Sequence, residues 1–516
     1  MKIFDKIQLN KPRRSVFDLS HERKFTMNMG DLVPILCQEV IPGDTFRMNL
    51  EQLVRFQPML APMMHRVNVF THFFFVPNRI IWNEWEDFIT GGEDGTKNPL
   101  FPTFSRSANV AKTDFKLTPG SLSDYLGYPV ANQPTTAPAL VPISQLPYRA
   151  YHKIWNEFYR DQNLQEPVNI SLSSGSTPLN IQNPDSTSWA TRALCIQKRA
   201  WEKDYFTSSL PFAQKGQQLS IPLSNSQASV KANDIEIRVG TKRDGANYDI
   251  EASDSSLDGE PLYTDLGDVT ASSINELRKA FNLQRWLEKN ARGGSRYIEQ
   301  LLVHFGVKSS DARLQRPEYL GGGKTPVTIS EVLQNSATES SSPQGNMAGH
   351  GVSAGSSHSF KKYFEEHGFV IGIMSVLPRT AYMQGLPKIF NKFDKFDYYW
   401  PDFAHLGEQE VKQGELYYDP SSNVNNDKTF GYQPRYTEYR YVMDSVHGDF
   451  TGNLDFWHLG RKFENEPQLN QEFIKANPSH RIFAVQDPLE QKLLVNTYCN
   501  LQAIRPIPKY GNPGGI

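Results

Sequence analysis

The chain has 516 residues, 21% of them charged and 38% hydrophobic, and a formal net charge of −2. That length and apolar content support a large core and exclude disorder throughout, and a charge so near zero excludes a surface that neutralises nucleic acid over its whole extent. Three scattered cysteines, Cys37, Cys195 and Cys499, do not make a disulfide framework; they read as small buried apolar side chains in a reducing compartment.

In chain order, the first segment, MKIFDKIQLNKPRRSVF, carries charges but no apolar core and does not read as a signal peptide. Residues 1–30 mix basic and apolar positions without a period, and Lys11, Arg13 and Arg14 cluster around Pro12, which predicts an extended arm. After the turn at Pro42-Gly43, Phe46, Met48 and Leu50 alternate with Arg47 and Asn49 as in a half-buried strand. Val67 to Val76 is dense in β-branched and aromatic residues and stops at Pro77-Asn78, the pattern of a buried strand. Trp82, Trp85, Phe88 and Ile89 then fall at helical spacing, and Gly91-Gly92 supplies a left-handed cap.

From Glu93 to Pro147 the composition predicts a long ordered loop that buries Tyr125, Tyr128 and Tyr148. Tyr148 to Tyr159 reads as a helix, 171–188 as a polar loop, and Ala200 to Phe212 as a return to the aromatic core. Between residues 222 and 272 large aromatics nearly vanish and one short strand, Ile235 to Val239, stands in polar sequence; this is an insertion within a single domain spanning 1–516. Two helices follow. The first starts at the capping box Ser273/Glu276, stops at Gly293-Gly294 and has apolar residues on both sides, so it is expected to be buried on both; the second runs from Ser295 to Gly306. Gly321 to Gly355 reads as a low-complexity region, Phe369 to Leu377 as a central strand, Tyr436 to Met443 as an aromatic strand, and Leu493 to Leu501 as an alternating strand before a tail. The longest apolar run is far short of the roughly 20 residues of a membrane helix.

Few motifs suggest chemistry. GGGKT at Gly321 to Thr325 looks like the end of a phosphate loop, but Glu318 stands where the motif needs its first glycine. Asp254, Ser256, Asp258, Gly259 and Asp265 match positions of a calcium loop without its flanking helices, so Asp254, Asp258 and Asp265 read first as a solvated acidic turn and second as a weak calcium site. His350, His358, His367, His405, His447 and His458 show no close ligand spacing, and Glu365-Glu366 or Glu408/Glu410 gives no defined carboxylate separation for a glycosidase. No metal site, cofactor or catalytic residue is expected. Basic residues of the two termini, Lys11, Arg13, Arg14, Arg505 and Lys509 with Tyr510, are the candidates for touching phosphates and stacked bases.

Several long blocks carry a family resemblance: PRRSVFDLSHERKFTMNMGDLVP, EVIPGDTF, MHRVNVFTHFFFVPNRIIWNEWEDFITGG, FEEHGFVIGIMSVLPRTAYMQGLPK and FDYYWPDFAHLGEQEV. Over about Pro12 to Pro508 the chain resembles the major capsid proteins of microviruses, most closely the gokushovirus branch. The resemblance implies an all-β, eight-stranded antiparallel jelly-roll sandwich with very long loop insertions and a few short helices, a fold that the strand pattern also suits. It implies a T=1 icosahedral homo-oligomeric shell around a circular single-stranded DNA genome, assembled in a bacterial cytoplasm with a small basic DNA-binding protein and a minor pilot protein. It places a threefold protrusion at the insertion of residues 222–272, making Lys242, Arg243, Asp244, Asn247, Asp254 and Asp258 candidates for meeting a host cell-surface receptor. The rival class is a secreted or surface β-sandwich that binds carbohydrate or hydrolyses it, which predicts a monomer.

Overall fold

The structure, a computed structural model, describes residues 13–106, 119–128, 143–179, 188–216, 230–231, 237–239, 250–252, 263–264, 274–294, 296–308, 310–333, 335, 347–421 and 423–510. The chain divides into two compact units, one of Met1–Pro211 with Arg296–Ile516 and one of Phe212–Ser295. In the first unit the strands are β1 (Ser15–Asp18), β2 (His21–Met27), β3 (Val33–Val40), β4 (Thr45–Phe56), β5 (Val67–Pro77), β6 (Thr103–Arg106), β7 (Ile143–Ser144) and β8 (Ser176–Leu179). The second unit holds β9 (Val230–Lys231), β10 (Ile237–Val239), β11 (Ile250–Ala252) and β12 (Tyr263–Thr264). The first unit resumes with β13 (Glu318–Pro326), β14 (Thr328–Leu333), β15 (Met347–Tyr363), β16 (Gly368–Pro378), β17 (Glu408–Lys412), β18 (Thr429–Pro434) and β19 (Leu493–Arg505).

Two antiparallel sheets carry the first unit. One is ordered β1-β19-β4-β15-β14, with β2 also on β19; the other is β13-β5-β16-β3. On β4 and β19 alternate residues are buried, so Phe46, Met48, Leu50, Leu501 and Cys499 point into one core while their neighbours face out. That core is shared with Val69, Phe73 and Phe75 of β5 and Val370, Met374 and Val376 of β16, as in a β-sandwich. The uninterrupted apolar run of β16 has a physical cause: its other face is covered too. Ile371 and Ile373 pack with Phe74 and Val76 against Tyr148, Tyr151 and Ile154 of the helix Leu146–Ile154.

Apart from one helix of 20 residues, the helices are short among the described residues. Trp85–Thr90 (α1) ends on Gly91 at φ +82, the left-handed cap expected from the sequence. Leu122–Leu126 is α2; the helix Leu146–Ile154 is α3, and it continues as a π turn over Trp155–Tyr159. Trp189–Arg192 is α4, Ile274–Gly293 is α5 and Tyr297–Phe305 is α6.

Several expectations are corrected. Residues 15–27 are not a loose arm: they form β1 and β2, both hydrogen-bonded to β19. The stretch 93–147 is not all loop, since it includes β6, α2 and β7. The low-complexity region is largely strand, β13 to β15. Its glycines are there because backbone approaches closely: a Cβ on Gly322 would lie 2.3 Å from the Thr71 carbonyl oxygen, and one on Gly349 2.3 Å from that of Ala61. Tyr436 to Met443 is not a strand, because Tyr436 sits at φ +64 and starts a 3-10 turn over Thr437–Tyr439. Helix α5 is not buried on both sides: Phe281 is 65% exposed and Trp286 49%, in keeping with a polar insertion that offers it little apolar cover.

Candidate assembly surface and basic edge

Six aromatic residues fall between positions 390 and 400, interleaved with Lys and Asp. In a lone globular chain such density belongs in a core. Here it lies outside: Phe390, Phe393, Phe396, Tyr398, Tyr399 and Trp400 are all exposed, Phe393 to 88%. The segment is nonetheless tightly built. Three 3-10 turns, Lys388–Phe390, Lys395–Asp397 and Pro401–Phe403, satisfy its backbone locally, and the amides of Phe393 and Asp394 donate to Asp397 Oδ2 at 3.0 and 2.9 Å. Those amides hold the Asp397 carboxyl below its usual pKa. Trp400 Nε1 donates to the carbonyl of Lys395 at 2.8 Å.

A buried ion pair anchors the segment from beneath. Lys392 Nζ lies 3.1 Å from Glu438 Oε1 and 3.9 Å from the centre of the Tyr439 ring, with both charged side chains almost fully buried. Burial acts to raise the Glu438 pKa, but hydrogen bonds from Gln409, at 2.8 Å, and Lys392 outweigh it, and the carboxyl stays below its usual range. Tyr399 packs edge-on to Tyr436 at 5.0 Å, so the left-handed turn at Tyr436 fixes where the exposed rings stand. The sequence reading named no residue of this surface as a site. The available signal was the aromatic density itself.

The second feature is the free end of the β1–β19 pair. Ser15 pairs with Arg505, so Arg13 and Arg14 precede β1 at the same end of the pair at which the chain leaves β19 toward Lys509 and Tyr510. Arg13, Arg14, Lys509 and Tyr510 are exposed, and the Arg14 guanidinium lies 5.4 Å from the Tyr363 ring centre. Arg505 differs from them. Its guanidinium is 3.2 Å from the fully buried Asp44, donates to the Glu39 carbonyl at 2.7 Å and rests on Phe46, so it holds the edge together. Lys11, the insertion residues Lys242, Arg243, Asp244, Asn247, Asp254 and Asp258, and the calcium candidate Asp265 lie outside the described residues.

The other motifs resolve into structure. GGGKT is part of β13, paired with β5, and forms no phosphate loop. Glu366 is held by Arg79 at 2.6 and 3.1 Å. His358 meets Thr71, and His458 Nε2 donates to the Phe450 carbonyl at 2.7 Å. Burial pushes the Cys37 thiol up to about 12 and the Cys499 thiol to about 11, so both are unreactive. Among the described residues no group of His, Cys, Asp and Glu could hold a metal, and no helix is long and apolar enough to cross a membrane.

Comparison with known proteins bears on what such a surface is for. A sequence profile described as "Capsid protein (F protein)" matches residues 5–515. Capsid protein VP1 of Chlamydia phage 1 is 38% identical, with 97% of this chain and 96% of that protein covered. Capsid protein VP1 of Bdellovibrio phage phiMH2K is 35% identical and that of Spiroplasma virus 4 is 31% identical, each over 97% of this chain and 95% of the relative.

Proposed function

The chain belongs to the capsid protein (F protein) family and is a major capsid protein of a microvirus-type phage, part of the virion capsid; from that premise we propose that the segment 388–406 is where sister copies meet. Its role is structural, and the shell is built of many copies of it. The observation that carries the assignment is the exposure of six aromatic rings on a backbone rigidly held from below. Exposed apolar patches of this kind mark interaction sites, and obligate interfaces are aromatic-rich and largely apolar. The test is the triple variant Phe390→Ser, Phe393→Ser, Trp400→Ser, followed by light scattering: the unaltered chain forms closed particles and the variant remains at the mass of one chain. Normal particles from the variant would place the contact elsewhere.

The finer architecture we read as an eight-stranded jelly roll enclosing a T=1 shell. Support comes from strand order. Taking β1 and β2 as one edge and β14 as a continuation of β13, eight strands in chain order fall as 1-8-3-6 in one sheet and 2-7-4-5 in the other.

Single-stranded DNA is the proposed content, touched by Arg13, Arg14, Lys509 and Tyr510 at the β1–β19 edge, where Arg505 holds the edge together, and by Lys11, which lies outside the described residues. A net charge of −2 leaves most neutralisation to a separate small basic protein. A minor pilot protein and a host receptor, the latter met by the insertion, complete the partners. Neutralising Lys11, Arg13, Arg14 and Lys509, with Arg505 left to hold Asp44, lowers the DNA packaged per particle; unchanged genome content removes these residues from that role.

A further inference from the structure

One concavity lined by residues of neither surface combines ring faces with cations. It is a cleft of about 750 Å³ in the first unit, within the range of small-ligand sites, lined in part by Phe74, Phe158, Tyr319, Arg199, Lys308 and Arg316. Its construction explains the glycines of β13. The register against β5 slips between Tyr319 and Gly321, a bulge with Gly321 at φ +151, and bulges re-aim the side chains beside them. A Cβ on Gly322 would come within 2.9 Å of the Tyr319 hydroxyl, so this glycine clears the space across which Tyr319 lies. The Tyr319 ring stands 5.5 Å from Phe74, which in turn stands 4.7 Å from Phe158, yet Tyr319 remains 47% exposed. A row of mutually tilted rings therefore ends in an open member.

The charges around it are unequal. Arg199, Lys203, Lys308 and Arg316 line the cleft against two carboxylates, Glu202 and Asp311. Asp311 is taken by Arg316 at 3.2 Å, and Lys203 reaches outside the cleft to Asp161. Arg199 donates to Ser375 Oγ at 3.1 Å and has no carboxylate at ion-pair distance among the described residues; nor does Lys308. His72, hydrogen-bonded to the Tyr159 hydroxyl at 2.8 Å, is pushed down to about 4 by burial and adds a neutral ring.

We propose that this cleft receives one nucleotide of a single strand, its base on the open Tyr319 face and its phosphate toward Arg199 and Lys308. Rings that stack any base, beside cations that meet phosphate, are the chemistry of sequence-tolerant strand binding. The proposal deepens the DNA contact assigned to the β1–β19 edge and uses different residues. The test titrates the full chain with fluorescently labelled octathymidylate and, separately, with the mononucleotide dTMP. Tyr319→Leu weakens octathymidylate binding by about tenfold. Lys308→Gln weakens it at low salt and flattens the plot of log affinity against log salt by about 0.7. Both side chains are exposed, and an unchanged melting temperature shows that the variants fold. The strand reading expects dTMP to bind far more weakly than the octamer; dTMP binding as tightly overturns it in favour of a free nucleotide. Octamer affinity and salt slope unchanged in both variants, but lost when Arg13, Arg14 and Lys509 are neutralised, overturns the cleft and leaves the edge. No octamer binding by the unaltered chain overturns both.

Discussion

His152 shows how single groups set the conditions under which this chain holds together. It is fully buried on α3; Nε2 donates to the Ala193 carbonyl at 3.0 Å, Nδ1 has no hydrogen-bond partner among the described residues, and burial pushes the pKa down to about 4. An unfolded histidine takes up a proton near pH 6.5, so between there and pH 4 the unfolded chain binds a proton that the folded one refuses. Stability is therefore complete above about pH 6.5 and is lost as pH falls toward 4, by roughly 3 kcal/mol for this group. Urea midpoints at pH 7 and 4.5 check it: the midpoint drops on acidification, and His152→Gln gives a lower midpoint at pH 7 with a flatter profile. An equally steep profile would assign the acid loss to other residues. At this scale sequence was a partial guide. Six histidines showed no ligand spacing in the sequence, and His152 was not among them; that Arg505 is locked to Asp44 while Arg14 is exposed depends on a contact across some 460 positions, which local pattern does not carry.

Among elements, legibility followed burial. Val67–Pro77 and Gly368–Pro378 were readable because both their faces are apolar, and Leu493–Arg505 because one face is. The strands β13 to β15 were hidden: glycine lowers strand propensity, and what selects it here is the closeness of neighbouring backbone, a tertiary cause. The aromatic segment 388–406 was missed as a site because aromatic density looks the same whether a ring will be covered by its own chain or by another. Its anchor can be tested. Lys392→Met leaves Glu438 buried without its cation and costs about 3 kcal/mol. We expect faster chymotrypsin cleavage within 388–406 and a lower melting temperature; a cleavage rate like that of the unaltered chain would show that the pair is not the anchor.

For the whole molecule, the division into two units bears on what each does. The first unit contains the sandwich, the aromatic segment and the basic edge; the second is Phe212–Ser295. If the insertion serves attachment, deleting residues 226–268 leaves particles that assemble yet adsorb poorly to host cells, measured by particle mass and by adsorption rate. Loss of assembly would instead make it a lock between subunits. The sandwich has a consequence for biosynthesis as well. Strand β19 lies between β4 on one side and β1 and β2 on the other, although nearly the whole chain separates it from them. On the ribosome the larger sheet thus lacks its middle until residues 493–505 emerge, and such long-range closure is slow. A polypeptide that stops short of residue 493 therefore cannot close the larger sheet, because β4 and β1 then lack the strand that joins them.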